Sequence, residues 1–374
     1  MRKFQSRLQT VLWCQRGALL DSRWQRMFLL ASAIAWIVLR GNTASCEGDH
    51  PLAAPGVTSL TNQAVEYRVP KVHHVTLVRG EVTAMIVDNA AVDLPELPGH
   101  RAGYNGVASL KHARREQNLF VPIVGGLNFE HIHDGTREGL VEKFEPRKFP
   151  MQLRQVAEYI VEVYQPATGN WGLESCGRYE LLSDGTIEYT FECIPRQGGY
   201  RKGYIGLFWA SYIHQPEEKA IHFVGRAAGS QEKSKWIRAV TPQHGVDSTH
   251  PPAGYPFSIS VDEDFPLTLV GHPSSYEHTA AWYYGVSHGM AAAMMFRPGD
   301  QIWLAQSPSG GGQGNPAWDF QWFIPNYKID EAYGFKMRMA YVPFENHEQV
   351  VAATRAHRAA LADDKGQPGE PSVD

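Results

Sequence analysis

The chain is short of cysteine, of charge and of long apolar runs, and each shortage narrows what it can be. Four cysteines occur in 374 residues, and Cys14 and Cys46 precede the region that reads as folded. Cys176 and Cys193 are therefore the one pair available for a cross-link inside the fold. Charged residues make up 20% against 43% hydrophobic, a balance that supports a substantial core and excludes wholesale disorder. The longest uncharged apolar run, Met27–Leu39, has 13 residues. That falls short of the roughly 20 that a spanning helix needs. No G-x-S-x-G, H-E-x-x-H or G-x-x-x-x-G-K-[ST] pattern occurs, which removes the standard nucleophile-elbow, zinc-protease and P-loop chemistries. Strands do not alternate with long amphipathic helices, so a parallel α/β sheet is excluded. No repeat of 20–50 residues is present.

The N-terminal region reads as an export signal. Residues 1–45 hold seven of the chain's 35 basic residues and one of its 39 acids, Asp21, and the apolar run is followed by the small residues Thr43, Ala44 and Ser45. A basic leader, an apolar stretch of this length and a small-residue site match a secretory signal. Cleavage is expected near Ala44 or Ser45, with a retained signal-anchor as the alternative. Removing those 45 residues leaves 28 basic and 38 acidic, a net charge of −10. So acidic a domain is a poor partner for nucleic acid or an anionic membrane. Membrane contact is expected only through an uncleaved N-terminal segment. The expected location is extracytoplasmic, secreted or periplasmic.

Residues 46–64 read as a linker and 65–344 as one large all-β domain, an antiparallel β-sandwich. Val72–Val78 and Val82–Val87 are β-branched runs about a Gly turn, and Ile187, Tyr189, Phe191 and Cys193 alternate with polar neighbours at period two. Further strands are expected at 156–164, 204–213, 220–225, 257–261, 267–270, 280–286, 290–296, 301–306 and 335–342. A single C-terminal helix is expected over 345–361, with Val350, Thr354, His357 and Leu361 on one stripe. Residues 362–374 read as a disordered tail.

Three features carry chemistry. Glu130-His131-Ile132-His133-Asp134 is a polar cluster in which His131 and His133 share a strand face, a pattern that can hold a divalent transition metal or serve acid–base chemistry. Arg147 and His214 are further catalytic candidates. The second feature is aromatic: Trp209, Trp318 and Trp322, with Asp319 and Glu192 beside them, can form a sugar-stacking wall or can be core. The third is Asp184-Gly185, a favoured two-residue hairpin turn that places Cys176 opposite Cys193 and permits a disulfide. A longer turn shifts the register by one and puts the sulfurs on opposite faces. The Gly-rich loop Ser309–Gly314 reads as a flexible element at a pocket rim.

The stretch Tyr164–Ile213, with its strand, tight turn and IEYT strand (Ile187–Thr190) running on to an apolar segment, resembles the galactose mutarotase-like superfamily. Residues 315–342 add an aromatic stretch, a turn and a strand of the FKMRMAYVPF kind. The resemblance covers about a third of the chain. It implies a β-sandwich of the supersandwich type with a carbohydrate site on its concave face. Where epimerases of the superfamily carry a His-bearing motif, this chain has Trp209 at Leu207–Ser211 and His214 nearby. The resemblance therefore implies a sugar binder or a sugar-acting enzyme other than a mutarotase. The alternatives are a metal-dependent extracytoplasmic enzyme centred on His131 and His133, and a noncatalytic envelope protein that uses the aromatic surface to bind a partner.

Overall fold

Apolar residues alternate along some strands and run through others that are buried on both faces, and the strands assemble accordingly. The computed structural model describes residue 52 and residues 55–267, 269–312 and 314–364. The signal region, Cys14, Cys46 and residues 365–374 of the tail lie outside the described residues. A three-stranded sheet joins β1 (His74–Arg79), β2 (Val82–Val87) and β5 (Gly106–His112), and β3 (Val92–Leu94) pairs with β4 (Leu97–His100). Five strands run in the order β14 (Thr249–His250), β17 (Trp303–Ser307), β18 (Ala317–Pro325), β11 (Tyr204–Ala210) and β6 (Asn128–His133). A nine-stranded sheet takes the order β13 (Lys235–Ala239), β12 (Ile221–Ala227), β15 (Tyr276–Ser287), β16 (Met290–Phe296), β19 (Tyr333–Pro343), β10 (Ile187–Pro195), β9 (Leu173–Leu181), β8 (Ile160–Gln165) and β7 (Gln152–Ala157). Strand pairings in these sheets are antiparallel. The fold is all-β, as expected from the sequence.

The nine- and five-stranded sheets face each other across one aromatic core. Trp209 of β11 meets Phe191 of β10 (ring centroids 4.8 Å apart) and Phe335 of β19 (5.0 Å), and Trp322 of β18 meets Phe335 at 5.3 Å. Edge-to-face pairs of this kind add about 0.5–1.5 kcal/mol each beyond the area they bury. Trp209, Trp318 and Trp322, candidates for a sugar-stacking wall, are thus core residues: each is at most 3% exposed and belongs to the central cluster. The reason is strand parity, since residues 318, 320, 322 and 324 of β18 point inward and 317, 319, 321 and 323 point outward.

Of the segments read as strands, residues 257–261 form none, and neither do the described residues 267, 269 and 270. The C-terminal helix is α2 (His347–Asp363), and α1 (Glu145–Lys148) is a single turn that the periodicity did not reveal. Asn346 caps α2 by accepting from the Gln349 N–H at 2.9 Å. Its buried residues are Val350, Thr354, His357 and Leu361, the predicted stripe. Val350 and Leu361 lie against Ala291, Ala293 and Ala340 on the outer face of β16 and β19.

The β9–β10 hairpin corrects the disulfide. Leu181 pairs with Ile187, Leu182 N–H reaches the Thr186 carbonyl, and Gly185 takes φ +85°. The loop is therefore the three residues Ser183-Asp184-Gly185, with Gly in the left-handed position that such loops require. The register shifts by one: Cys176 faces Glu192 and Cys193 faces Ser175. Cys193 points into the core, whereas Cys176 points outward to Glu162, and both thiols are free.

That outward face holds the end of the segment read as linker. Glu192 accepts from Val57 N–H (2.8 Å), Thr58 N–H (3.2 Å) and the Thr58 and Thr61 hydroxyls (2.5 Å each). Glu162 accepts from Ser59, and Arg178 donates to the Val57 carbonyl at 2.7 Å. Thr58 is fully buried. Residues 57–61 form a strap on the outer face of the nine-stranded sheet, and Glu192 anchors that strap instead of lining a ligand site.

Candidate functional site

A cavity of about 280 Å³ opens on the outer face of the five-stranded sheet. Its floor comes from outward residues of three adjacent strands: Glu130 and His131 of β6, Phe208 and Ala210 of β11, and Ala317 and Asp319 of β18. Two neighbouring residues of a regular strand cannot both face one side. Here Phe208 pairs with His131 while Trp209 pairs with Phe129, so Glu130 is an extra, unpaired residue. This β-bulge turns Glu130 and His131 into the same cavity. The strand alternation of a sequence gives no sign of it, which is why Glu130 belongs to the cluster noted in the sequence but not to the residues singled out from it.

Glu130 is the hub. Its Oε2 accepts from Arg147 Nη2 (2.6 Å), the Tyr212 hydroxyl (2.5 Å) and Asn128 Nδ2 (3.1 Å), and Oε1 lies 3.1 Å from His131 Nε2. Burial by itself would raise the Glu130 carboxyl; the Arg147 charge, then His131 and the Tyr212 hydrogen bond, overcome it and hold the group at about 2. Arg147 projects from α1, where its guanidinium lies between the rings of Tyr104 (4.0 Å) and Phe144 (4.5 Å) and also donates to the Tyr212 hydroxyl at 2.9 Å. Burial works against the Arg147 charge, but Glu130 more than restores it. His131 Nδ1 lies 2.6 Å from the Lys143 carbonyl. Both His131 nitrogens face oxygen acceptors, so the ring meets both only by donating from both.

Asp319 behaves in the opposite way. Burial pushes its carboxyl well above the usual range; the Ser211 N–H, donating to Oδ1 at 3.0 Å, works against this, and the Glu130 charge adds to it. One cavity thus holds a carboxylate stabilised by a cation and a carboxyl that burial pushes towards its neutral form, environments that pull in opposite directions as in many acid–base sites. Tyr104, Phe144, Phe208, Leu267 and Leu269 supply apolar wall, and Lys143, His244, Ser309 and Gly310 stand around it. The Gly-rich loop is therefore at the rim, as the sequence suggested.

The other nominated residues lie elsewhere. His133 shares the strand face of His131 but is fully buried against Tyr204, Phe265 and Phe323, outside the cavity lining, and neither ring nitrogen has a partner. Burial, then the His131 charge, holds its imidazole down at about 3. The metal site drawn from His131 and His133 is not formed: both nitrogens of His131 are engaged, and among the described residues no group of three or more His, Cys, Asp or Glu side chains is placed to hold a metal. His214 is half-buried beside His288, away from the cavity. Tyr212 belongs to the aromatic stretch Phe208–Tyr212, which suits a sugar-binding wall, whereas Tyr104 and Phe144 were not foreseen. Nothing in local sequence marks them, because the bulge and the single turn of α1 bring them in.

No family model matches the chain, and no curated protein matches it. Solved structures do. A candidate aldose 1-epimerase from Escherichia coli K12 is 12% identical with a TM-score of 0.40, the match covering 72% of this chain and 99% of that one. The 4-α-glucanotransferase of Thermococcus litoralis is 11% identical (TM-score 0.36; 75% and 40%), and the heparan sulfate lyase of Pedobacter heparinus 9% identical (TM-score 0.34; 85% and 42%). The chain thus spans about two fifths of the length of the latter two chains.

Proposed function

We propose that the protein binds a carbohydrate ring in the cavity above the five-stranded sheet and that Asp319 acts on it as proton donor. One observation carries this: Asp319, buried with a single backbone amide as donor, lines the same cavity as the cation-paired carboxylate of Glu130. Glu130 is saturated by its donors and is a poor base; its role is to fix Arg147, His131 and Tyr212 around the ligand. Asp319 has Oδ1 engaged by Ser211, which leaves the other oxygen to carry a transferable proton. The cavity volume is near the lower end of ligand sites, about 300–1,000 Å³, and suits a single ring between aromatic walls and a few placed polar groups. The basic leader and the 13-residue apolar run favour a protein that works outside the cytoplasm.

Asp319→Asn keeps the shape and removes the acid. We expect turnover of the reactive sugar to fall by about 10²–10⁴-fold, with sugar binding retained in calorimetry. Unchanged turnover in the variant would sink the assignment of Asp319. Sugar binding without turnover in the unaltered protein would reduce the site to a binding module.

A further inference from the structure

Beyond Arg147 the surface dips again. A second depression, about 570 Å³, shares Tyr104, Phe144 and Arg147 with the first cavity and continues over Lys148 and Phe149. The Arg147 guanidinium, clamped between the Tyr104 and Phe144 rings, is the partition between the two. The floor is preformed. Asn89 and Gln165 both donate to the Pro146 and Phe149 carbonyls, and Asn89 accepts from the Met151 N–H at 2.9 Å.

Its charge is unusual for this chain. No acidic residue lines it, although the sequence beyond residue 45 is net −10. Several other arginines are matched by carboxylates, as in Arg178–Glu162, Arg226–Glu277 and Arg338–Glu188, and Arg147 itself pairs with Glu130. Lys148 is exposed and forms no ion pair among the described residues. A partnerless cation beside aromatic rings, in an acid-free hollow, suits an anionic group carried on a ring.

We propose that this depression is a second subsite. Resting on the carbohydrate reading of the first cavity, it would take the adjoining sugar unit of the same ligand, and that unit bears a carboxylate or a sulfate. The ligand is then an acidic oligosaccharide of at least two units, laid across Arg147.

An array of neutral, uronate-bearing and sulfated glycans, one to four units long, tests this on the unaltered protein. Calorimetry then compares the best binder with its single-ring fragment. The acidic oligosaccharide should bind at least about tenfold more tightly than the ring. Ala102→Trp fills the depression at an exposed position, and Lys148→Glu reverses its charge. Each should bring the oligosaccharide down to the affinity of the ring and leave ring binding unchanged. The uronate and sulfate arms identify the acid group. Equal binding of ring and oligosaccharide, equal binding of neutral and acidic forms, or wild-type behaviour of both variants overturns the second subsite alone. Absence of binding to every glycan overturns the carbohydrate reading with it. Lys148→Glu keeps the test valid if the tryptophan variant does not fold.

Discussion

Glu130 lies under four groups that compete for its two oxygens, and Asp319, on the neighbouring strand but one, has a single amide. The difference decides their charge, and it has consequences for stability. The Glu130 carboxyl falls from 4.5 to about 2 on folding, so its contribution is complete above about pH 4.5 and is lost as pH falls towards 2. The displacement corresponds to about 3 kcal/mol. Glu130→Gln should cost on the order of 3–5 kcal/mol at pH 7, because Arg147 is left buried without its counter-charge. Urea unfolding at pH 7 and pH 3 checks both parts: the loss in the variant should be smaller at pH 3 than at pH 7 by about 2 kcal/mol. His131, Arg147 and Asp319 were legible in the sequence because polar residues inside apolar stretches stand out. Which of Trp318, Asp319, Phe320, Gln321 and Trp322 faced the core was not, since both faces of β18 are buried and no polar alternation marks one of them.

At the scale of elements, what the sequence showed best was periodicity, and what it hid was register. The stripe of α2 was plain because four residues at helical spacing stand among polar ones. The β9–β10 pairing was not, because Asp184-Gly185 suits a two-residue turn as well as the last two places of a three-residue loop. Gly185 now carries the loop: its φ is +85°, and a Cβ there would lie 2.6 Å from Val82 Cγ2. Gly185→Ala should therefore destabilise the fold by about 1–3 kcal/mol, read as a lower urea midpoint with an unchanged slope. A neutral result would mean that Gly185 does not hold this crowded left-handed position. The bulge at Glu130 is a device of the same scale, and it likewise leaves no mark on the pattern of apolar residues.

For the whole molecule, all-β class and the antiparallel arrangement followed from alternation and from the lack of crossover helices. Strand order did not, because pairings such as β16 with β19 join segments that are far apart in the chain. The core also encloses titratable groups that tie folding to pH. Burial above all holds His133 and His250 down at about 3 and His278 at about 4, from 6.5. Burial raises Asp300 to about 6 against the pull of Arg297, and burial pushes Asp319 up as well. Between pH 4.5 and 6, unfolding lets three imidazoles take up protons while Asp300 releases one, and the raised Asp319 opposes in the same sense. Stability should therefore fall as pH drops over that range, by less than the roughly 4 kcal/mol per pH unit that three imidazoles alone would give. Below pH 4.5 the aspartates stop opposing and Glu130 joins the imidazoles, so the fall steepens. Calorimetric melting across pH 3–7 should show this two-part decline, and a flat profile down to pH 4 would refute neutral burial of the three histidines.

The strap at residues 57–61 and the mouth of the cavity lie on opposite outer faces, with two sheets between them. Facing sheets stand about 10 Å apart, so the two features cannot obstruct one another. The molecule has a back, which the strap closes, and a front, where a ligand would enter. A resin bead or a fluorescent partner fixed on the strap side would leave the open side to face whatever passes in solution.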